Sequence, residues 1–468
     1  MYLNIDRHNP KDIAAVDENG TKFTYGELCG FAEKMSHKLK KRALAFSFCE
    51  NTIGSLAGYV SFISNNVVPL LLDRDMENEL AQSLIETYKP SYIWLPEDKN
   101  MPGYRIIFND LGYNLLQTDF EPFALNDELA LLVTTSGSTG SPKLVRQSYK
   151  NIESNTKSIV EYLKIDNTER PITTLPMNYV YGTSIINTHL SQGASILLTK
   201  KGLMQKEFWQ FFKDYEATSI AGVPYTYEML KKLRFTRMKL PSLRTMTQAG
   251  GKLLPDLHKE FAQYAEENDK NFVIMYGAAE ATARMGYLPP EKSLEKYGCM
   301  GIVIPSGRFE LIDEVGNIIE KTDIVGELVY YGDNVTLGYA ECGMDLQKGD
   351  ERHGRYETGD MATRDKDGYY TIVGRKKRFL KIYGNRVGLD ETERLIKSHF
   401  NGIECACGGI DDKMYIFITD SSLSDNIKEF VSSYTSLNPQ AFNIKIIDEI
   451  PKNEAGKTLY SKLEEFYE

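Results

Sequence analysis

Up to about residue 298, short apolar runs of strand length alternate with stretches whose apolar residues recur at helical spacing, and this alternation limits the fold more than any other feature. Residues 43–48, 92–95, 129–134, 195–198 and 272–275 read as strands, with helical patterns near 82–88, 150–163 and 206–215. Strands separated by helices predict a mostly parallel sheet covered by helices. Thr24 followed by Glu27 has the spacing of a capping box, and Leu28, Phe31, Met35 and Leu39 continue it as a helix. Beyond Gly298 the character changes. RFELID, GELVYYG, GYYTIVG and KRFLKIYG are short and glycine-punctuated, which predicts a β-rich subdomain. From 389 onward a helix, strand, helix, strand and closing helix predict a small α+β unit.

A chain of 468 residues has room for two or three domains. Its 55 Lys+Arg against 65 Asp+Glu leave a net charge of −10, which argues against a general nucleic-acid binder. The most apolar stretch, SLAGYVSFISNNVVPLLL, is broken by Asn65, Asn66 and Pro69 before it reaches the ~20 apolar residues of a membrane span. The first residues, MYLNIDRHNPKD, lack the pattern of a secretion signal. Six cysteines without a CxxC pair suit reduced thiols rather than a zinc site. A cytoplasmic location is the expectation.

The chemistry begins in LLVTTSGSTGSPKLV. An apolar strand runs into Thr135, Ser136, Gly137, Ser138, Thr139, Gly140, Ser141, Pro142 and Lys143. Glycines let backbone N–H groups come close to an anion, hydroxyls add donors, and a lysine neutralises charge, so the loop suits a polyphosphate. It is not a Walker A loop, because Pro142 stands where that motif needs its second glycine. Gly456-Lys457-Thr458 fails in the same way, with Pro451 at the first glycine position.

At this loop the chain resembles the adenylate-forming superfamily, which includes acyl-CoA synthetases, the adenylation domains of peptide synthetases and firefly-type luciferases. Further motifs of that superfamily follow in order: QAGGK with Gly250 and Gly251, YGAAE from Tyr276 through Gly277 and Ala278 to Glu280, GELVYYGDNVTLGY, YETGD ending at Asp360, GRKKR with Arg375, and the closing PKNEAGK with Lys457. The resemblance implies that Gly250, Gly251, Tyr276, Gly277 and Ala278 lie against the adenine and that Asp360 and Arg375 hold the ribose hydroxyls. It implies that Glu280 is the Mg²⁺ ligand and that Lys457 bridges carboxylate and α-phosphate oxygens. A hard carboxylate suits Mg²⁺ carried by phosphate, and a lysine between two anions offsets their repulsion where it peaks.

Three positions depart from the family pattern: Tyr179 in LPMNYVYG, where many acyl-CoA synthetases carry histidine, Ala279 in place of threonine, and Arg378 in place of aspartate. Tyr179 can hydrogen-bond the acid but cannot be cationic. No Asp or Glu occurs between Leu175 and His189, which weighs against a free α-amino acid whose ammonium would need a partner. The expected architecture is α/β: residues 1–376 as a large domain for ATP, Mg²⁺ and acid, with mostly parallel sheets and a β-rich subdomain, and 377–468 as a small mobile α+β lid. The expected reaction turns a small carboxylic acid into an acyl-adenylate, then transfers it to a thiol of coenzyme A or of the phosphopantetheine on an acyl carrier protein. An amino-acid ligase that loads a carrier protein and a nucleotide-binding pseudoenzyme remain as alternatives. The run RKKRFLKIYGNR, six cations and no acid, is expected to be a docking face for an anionic acceptor.

Overall fold

The computed structural model describes every residue except 135–142, 377, 384, 401–402, 436, 453–457 and 468, together with all of Arg386 but its side chain. The chain forms two compact units: Met1–Tyr297 with Gly301–Arg308 and Tyr331–Tyr356, and Gly298–Met300 with Phe309–Tyr330 and Glu357–Glu468.

The first unit contains two large sheets. In one, Leu129–Thr134, Val68–Asp73, Leu44–Cys49 and Tyr92–Pro96 are adjacent and parallel, and antiparallel strands extend both sides. In the other, parallel pairing runs without a break from Asn271–Tyr276 through Thr245–Gln248, Ser219–Gly222, Pro171–Ile172 and Ile196–Leu198 to Ile13–Asp17. Residues of both sheets meet in one apolar cluster around the helix Ile53–Ser64. That helix is apolar on every side, as a helix enclosed by protein must be. It is the segment that came nearest to a membrane span in sequence. Among the described residues no helix is long and apolar enough to cross a bilayer.

Most of the local expectations hold to within a few residues. The strand expected at 43–48 is Leu44–Cys49, and the helices expected at 82–88 and 206–215 are Asn78–Tyr88 and Lys206–Asp214. The Thr24–Glu27 capping box opens the helix Tyr25–Ser36, with Glu27 N–H donating to Thr24 Oγ1 at 3.2 Å and Thr24 N–H to Glu27 Oε2 at 2.7 Å.

In the second unit, the strands Arg308–Ile312, Gly326–Tyr331, Arg355–Arg364 and Tyr370–Arg375 form a four-stranded sheet, apart from a few end residues. A hairpin, Phe379–Ile382 with Asn385–Gly388, follows. The last part pairs Cys405–Ile410 antiparallel and Phe442–Ile446 parallel to Lys413–Ile418, over a core shared with the helices Leu389–His399 and Ser424–Thr435.

Two buried histidines give the first unit a pH dependence. Burial holds both His189, on the helix Val180–Ser191, and His258, on the helix Pro255–Glu267, down at about 4, against an ordinary 6.5. Their folded values are depressed, so the unfolded chain binds protons first. The stability they contribute is present above about 6.5 and is lost as pH falls toward 4. Each should cost about 2 kcal/mol between pH 8 and pH 5. Urea unfolding at the two pH values checks this, and the double variant His189→Gln with His258→Gln should flatten the dependence.

Candidate active site

The parallel strands Ser219–Gly222, Thr245–Gln248 and Asn271–Tyr276 all end at the same side of their sheet, where open α/β sheets bind ligands. Tyr276 closes the last strand opposite Gly286 and is half-buried. The chain then folds tightly on itself. A Cβ on Gly277 would stand 1.7 Å from Ala283 O, so only glycine fits. Thr282 and Ala283 follow with φ of 52° and 100°, a conformation that side chains other than glycine's adopt at a cost.

That cost is held by a distant segment. Buried Asn334 donates from Nδ2 to Ala281 O at 2.7 Å and to Arg284 O at 2.8 Å, and Thr282 Oγ1 donates to Asn334 O at 2.8 Å. Thr336 donates from both its backbone N–H and its Oγ1 to Glu280 O, each at 3.0 Å. The Glu280 carboxylate is oriented by Tyr339, whose Oη donates to Oε1 at 2.6 Å. Burial first, and the charge of Glu280 next, push the Tyr339 phenol up to about 12, so it remains a donor at neutral pH. Oε2 accepts no hydrogen bond from the described residues and is available to a cation.

The segment carrying Tyr339 is anchored by Arg146. Its guanidinium is fully buried and donates to the carbonyls of Leu337 and Tyr339 at 3.0 Å and of Gly349 at 3.2 Å, as well as to Lys348 O and to Glu351. Lys143 pairs with Glu341 at 2.8 Å and lies 5.4 Å from the Tyr339 ring.

On the neighbouring strand end, Gln248 Nε2 donates to Ala249 O at 3.1 Å and Gly251 O at 2.9 Å, which braces the Gly250–Gly251 turn. Gly250 has φ +82°, and a Cβ there would lie 2.6 Å from Tyr179 Oη. Tyr179, at the N-terminus of the helix Val180–Ser191, thus packs against the glycine turn. Glu280 with Lys143, around Tyr339, and Tyr179 with Gly250 are the sequence-predicted residues that the first unit brings together.

In the second unit Asp360 and Arg375 stand opposite each other across two antiparallel strands, with Nε 3.3 Å from Oδ1. Thr135, Ser136, Gly137, Ser138, Thr139, Gly140 and Lys457 lie outside the described residues. The expected docking run changes character. Lys376 pairs with buried Glu327 at 2.6 Å, and Arg378 is mostly buried, with Nε bound to Asp390 at 2.5 Å and Nη2 to Glu393 at 2.6 Å. Arg378 also covers the Tyr460 ring at 3.6 Å. It is a core cation of its own unit rather than part of a docking face, which accounts for an arginine where the family pattern has aspartate.

Sequence reasoning missed Arg146, Asn334 and the role of Tyr339. Tyr339 stands in the quoted GY pair, but nothing in the pattern shows that it reaches a carboxylate 59 residues away.

Comparison with known proteins places this geometry. A family model described as AMP-binding enzyme matches residues 4–340, and the chain belongs to that family, within the adenylate-forming superfamily. It is 26% identical to the oxalate–CoA ligase of Saccharomyces cerevisiae over 78% of this chain and 68% of that one. It is also 26% identical to the luciferin 4-monooxygenase of Photuris pensylvanica, over 97% of this chain and 85% of the other. The structure of O-succinylbenzoate coenzyme A synthetase from Bacillus subtilis in complex with AMP shares the fold. Its TM-score is 0.80 at 20% identity, covering 99% of this chain and 97% of that one.

Proposed function

We propose that the protein activates a carboxylic acid with ATP and passes the acyl group to a thiol, that of coenzyme A or of a carrier protein. In the first step a carboxylate oxygen attacks the α-phosphorus, the bond to the β-bridging oxygen breaks, and pyrophosphate leaves. In the second the thiol sulfur attacks the acyl carbonyl, its proton goes to solvent, and AMP leaves. Residues 1–376 would hold ATP and acid, and 377–468 would bring Lys457 to the reacting atoms. Tyr276 would face the purine, with the Gly250–Gly251 turn beside it, and residues 135–143 would hold the phosphates. Asp360 and Arg375 would take the ribose hydroxyls, and Tyr179 would line the carboxylate's approach.

The observation that carries this reading is Glu280. Its Oε1 is occupied by Tyr339, and its Oε2 is a hard donor of the kind Mg²⁺ takes in addition to phosphate oxygens. Mg²⁺ there would neutralise phosphate charge. The chain's own part is to hold the carboxylate still. Support for coenzyme A as acceptor comes from relatives named as CoA ligases.

ATP–pyrophosphate exchange across a panel of acids tests the reading, and no exchange with any acid would overturn it. Within it, Tyr339→Phe removes the group that orients Glu280, and loss of such a partner typically costs about 10–100-fold. The variant should need correspondingly more Mg²⁺ for half-maximal exchange, with saturating Mg²⁺ restoring much of the rate. An unchanged Mg²⁺ dependence would detach Glu280 from the metal.

A further inference from the structure

Between the helices Tyr149–Leu163 and Val180–Ser191 and the parallel strands lies a cavity of about 40 Å³, lined in part by Ile159, Ile185, Ile220 and Met275, with Glu169, which pairs with Arg244 at 3.5 Å, also on its wall. One charged group on its wall stands out. Arg284 is 3% exposed, yet it has no carboxylate within 4 Å among the described residues. Its guanidinium carbon lies 3.9 Å from the centre of the Tyr181 ring. Nη1 donates to Ala283 O at 3.0 Å, and Nε points to Met275 Sδ at 3.4 Å.

The other deeply buried arginines show what such a group normally takes. Arg146 binds four carbonyls and a carboxylate, and Arg378 binds two carboxylates and a carbonyl. A guanidinium has five donors, and taking it out of water costs several kcal/mol unless it is paired. A ring face, one carbonyl, a thioether and the Tyr162 hydroxyl supply only part of that, since none of them carries a negative charge. The residue borders the cavity.

On the acid-activation reading above, this cavity is where the acid's chain would lie. Tyr179, proposed beside the reacting carboxylate, stands 6.4 Å from Tyr181 in ring centres, and Arg284 covers Tyr181 itself. We infer that the acid carries a second carboxylate, which enters the cavity and pairs with Arg284, so that the preferred substrate is a short dicarboxylic acid. The volume agrees with a small group: one water needs ~10–15 Å³, and the cavity of about 40 Å³ has room for a carboxylate.

The test uses exchange with malonate, succinate and glutarate beside propionate, butyrate and valerate. At least one dicarboxylate should exceed its monocarboxylate counterpart tenfold or more in kcat/KM. Arg284→Gln should lower kcat/KM for that dicarboxylate about 100-fold more than for the monocarboxylates, mainly through KM, with Arg284→Lys recovering part of the difference. The wild-type comparison stands by itself if Arg284→Gln does not fold. Preference for monocarboxylates, or equal loss on both series in a folded Arg284→Gln, would overturn the inference and leave acid activation intact. No exchange with either series would overturn the inference, and exchange with an aryl or longer-chain acid would still uphold acid activation.

Discussion

Lys457→Ala should slow the first half-reaction at least a hundredfold and leave the second close to the wild-type rate. The lysine ends PKNEAGK, and the role assigned to it follows from the family motif. Attack of a carboxylate on an α-phosphate brings two anions together and builds charge on phosphorus. Removing one preorganised donor from such charge costs at least ~2.7 kcal/mol, or about a hundredfold in rate. Exchange of pyrophosphate reads the first step. Thioester formation from synthetic acyl-adenylate reads the second, where no new phosphorus–oxygen bond forms and the lysine has nothing to offset. Equal losses in both steps would make Lys457 structural, and undiminished exchange would show that another cation does this work.

Arg378→Ala should have the largest effect on folding, a loss of about 3–5 kcal/mol, the range for stranding one member of a buried ion pair. Glu393 is 9% exposed at its side chain and also accepts from Cys407 N–H at 2.7 Å and Tyr460 Oη at 2.9 Å. Burial pushes its carboxyl above the usual range, and Arg378 is the main charge opposing that. Without the arginine, the carboxylate must either protonate or remain buried and unpaired. Denaturant unfolding of the second unit measures the loss. Adding Glu393→Gln should recover part of it, because the stranded charge goes too. Lys376→Ala removes a half-exposed cation with one carboxylate partner, where Arg378 has two and a ring, so it should cost less even though Glu327 is buried. Equal costs at 376 and 378 would contradict the buried network.

Much of this was legible beforehand because it is local. A capping box needs two residues three apart, and Thr24 with Glu27 formed as expected. Buried parallel strands are short continuous apolar runs, so those near 44, 92, 129 and 272 were readable within a residue or two. Ile53–Ser64 was read only as a failed membrane segment, because its helical period is hidden where every face is apolar. The nucleotide motifs were readable as ordered strings. What they touch was not: Glu280 depends on Thr336 and Tyr339, more than fifty residues further on.

The arginines mark the division most sharply. From residue order alone came the alternation of strands and helices, the β-rich stretch after it, and the family motifs, since each is carried by neighbours within a few residues. That order does not distinguish Arg146 and Arg284, each a cation in an unremarkable local run, and it marks Arg378 only as a departure from the family pattern within a basic run. Only the tertiary structure decided that Arg146 binds carbonyls 191 to 203 residues away, that Arg378 closes a core network with Glu393, and that Arg284 borders a cavity with no carboxylate within 4 Å among the described residues. The physical reason is that a buried charge is defined by what desolvates it and what pairs with it, and chain folding brings both from remote positions.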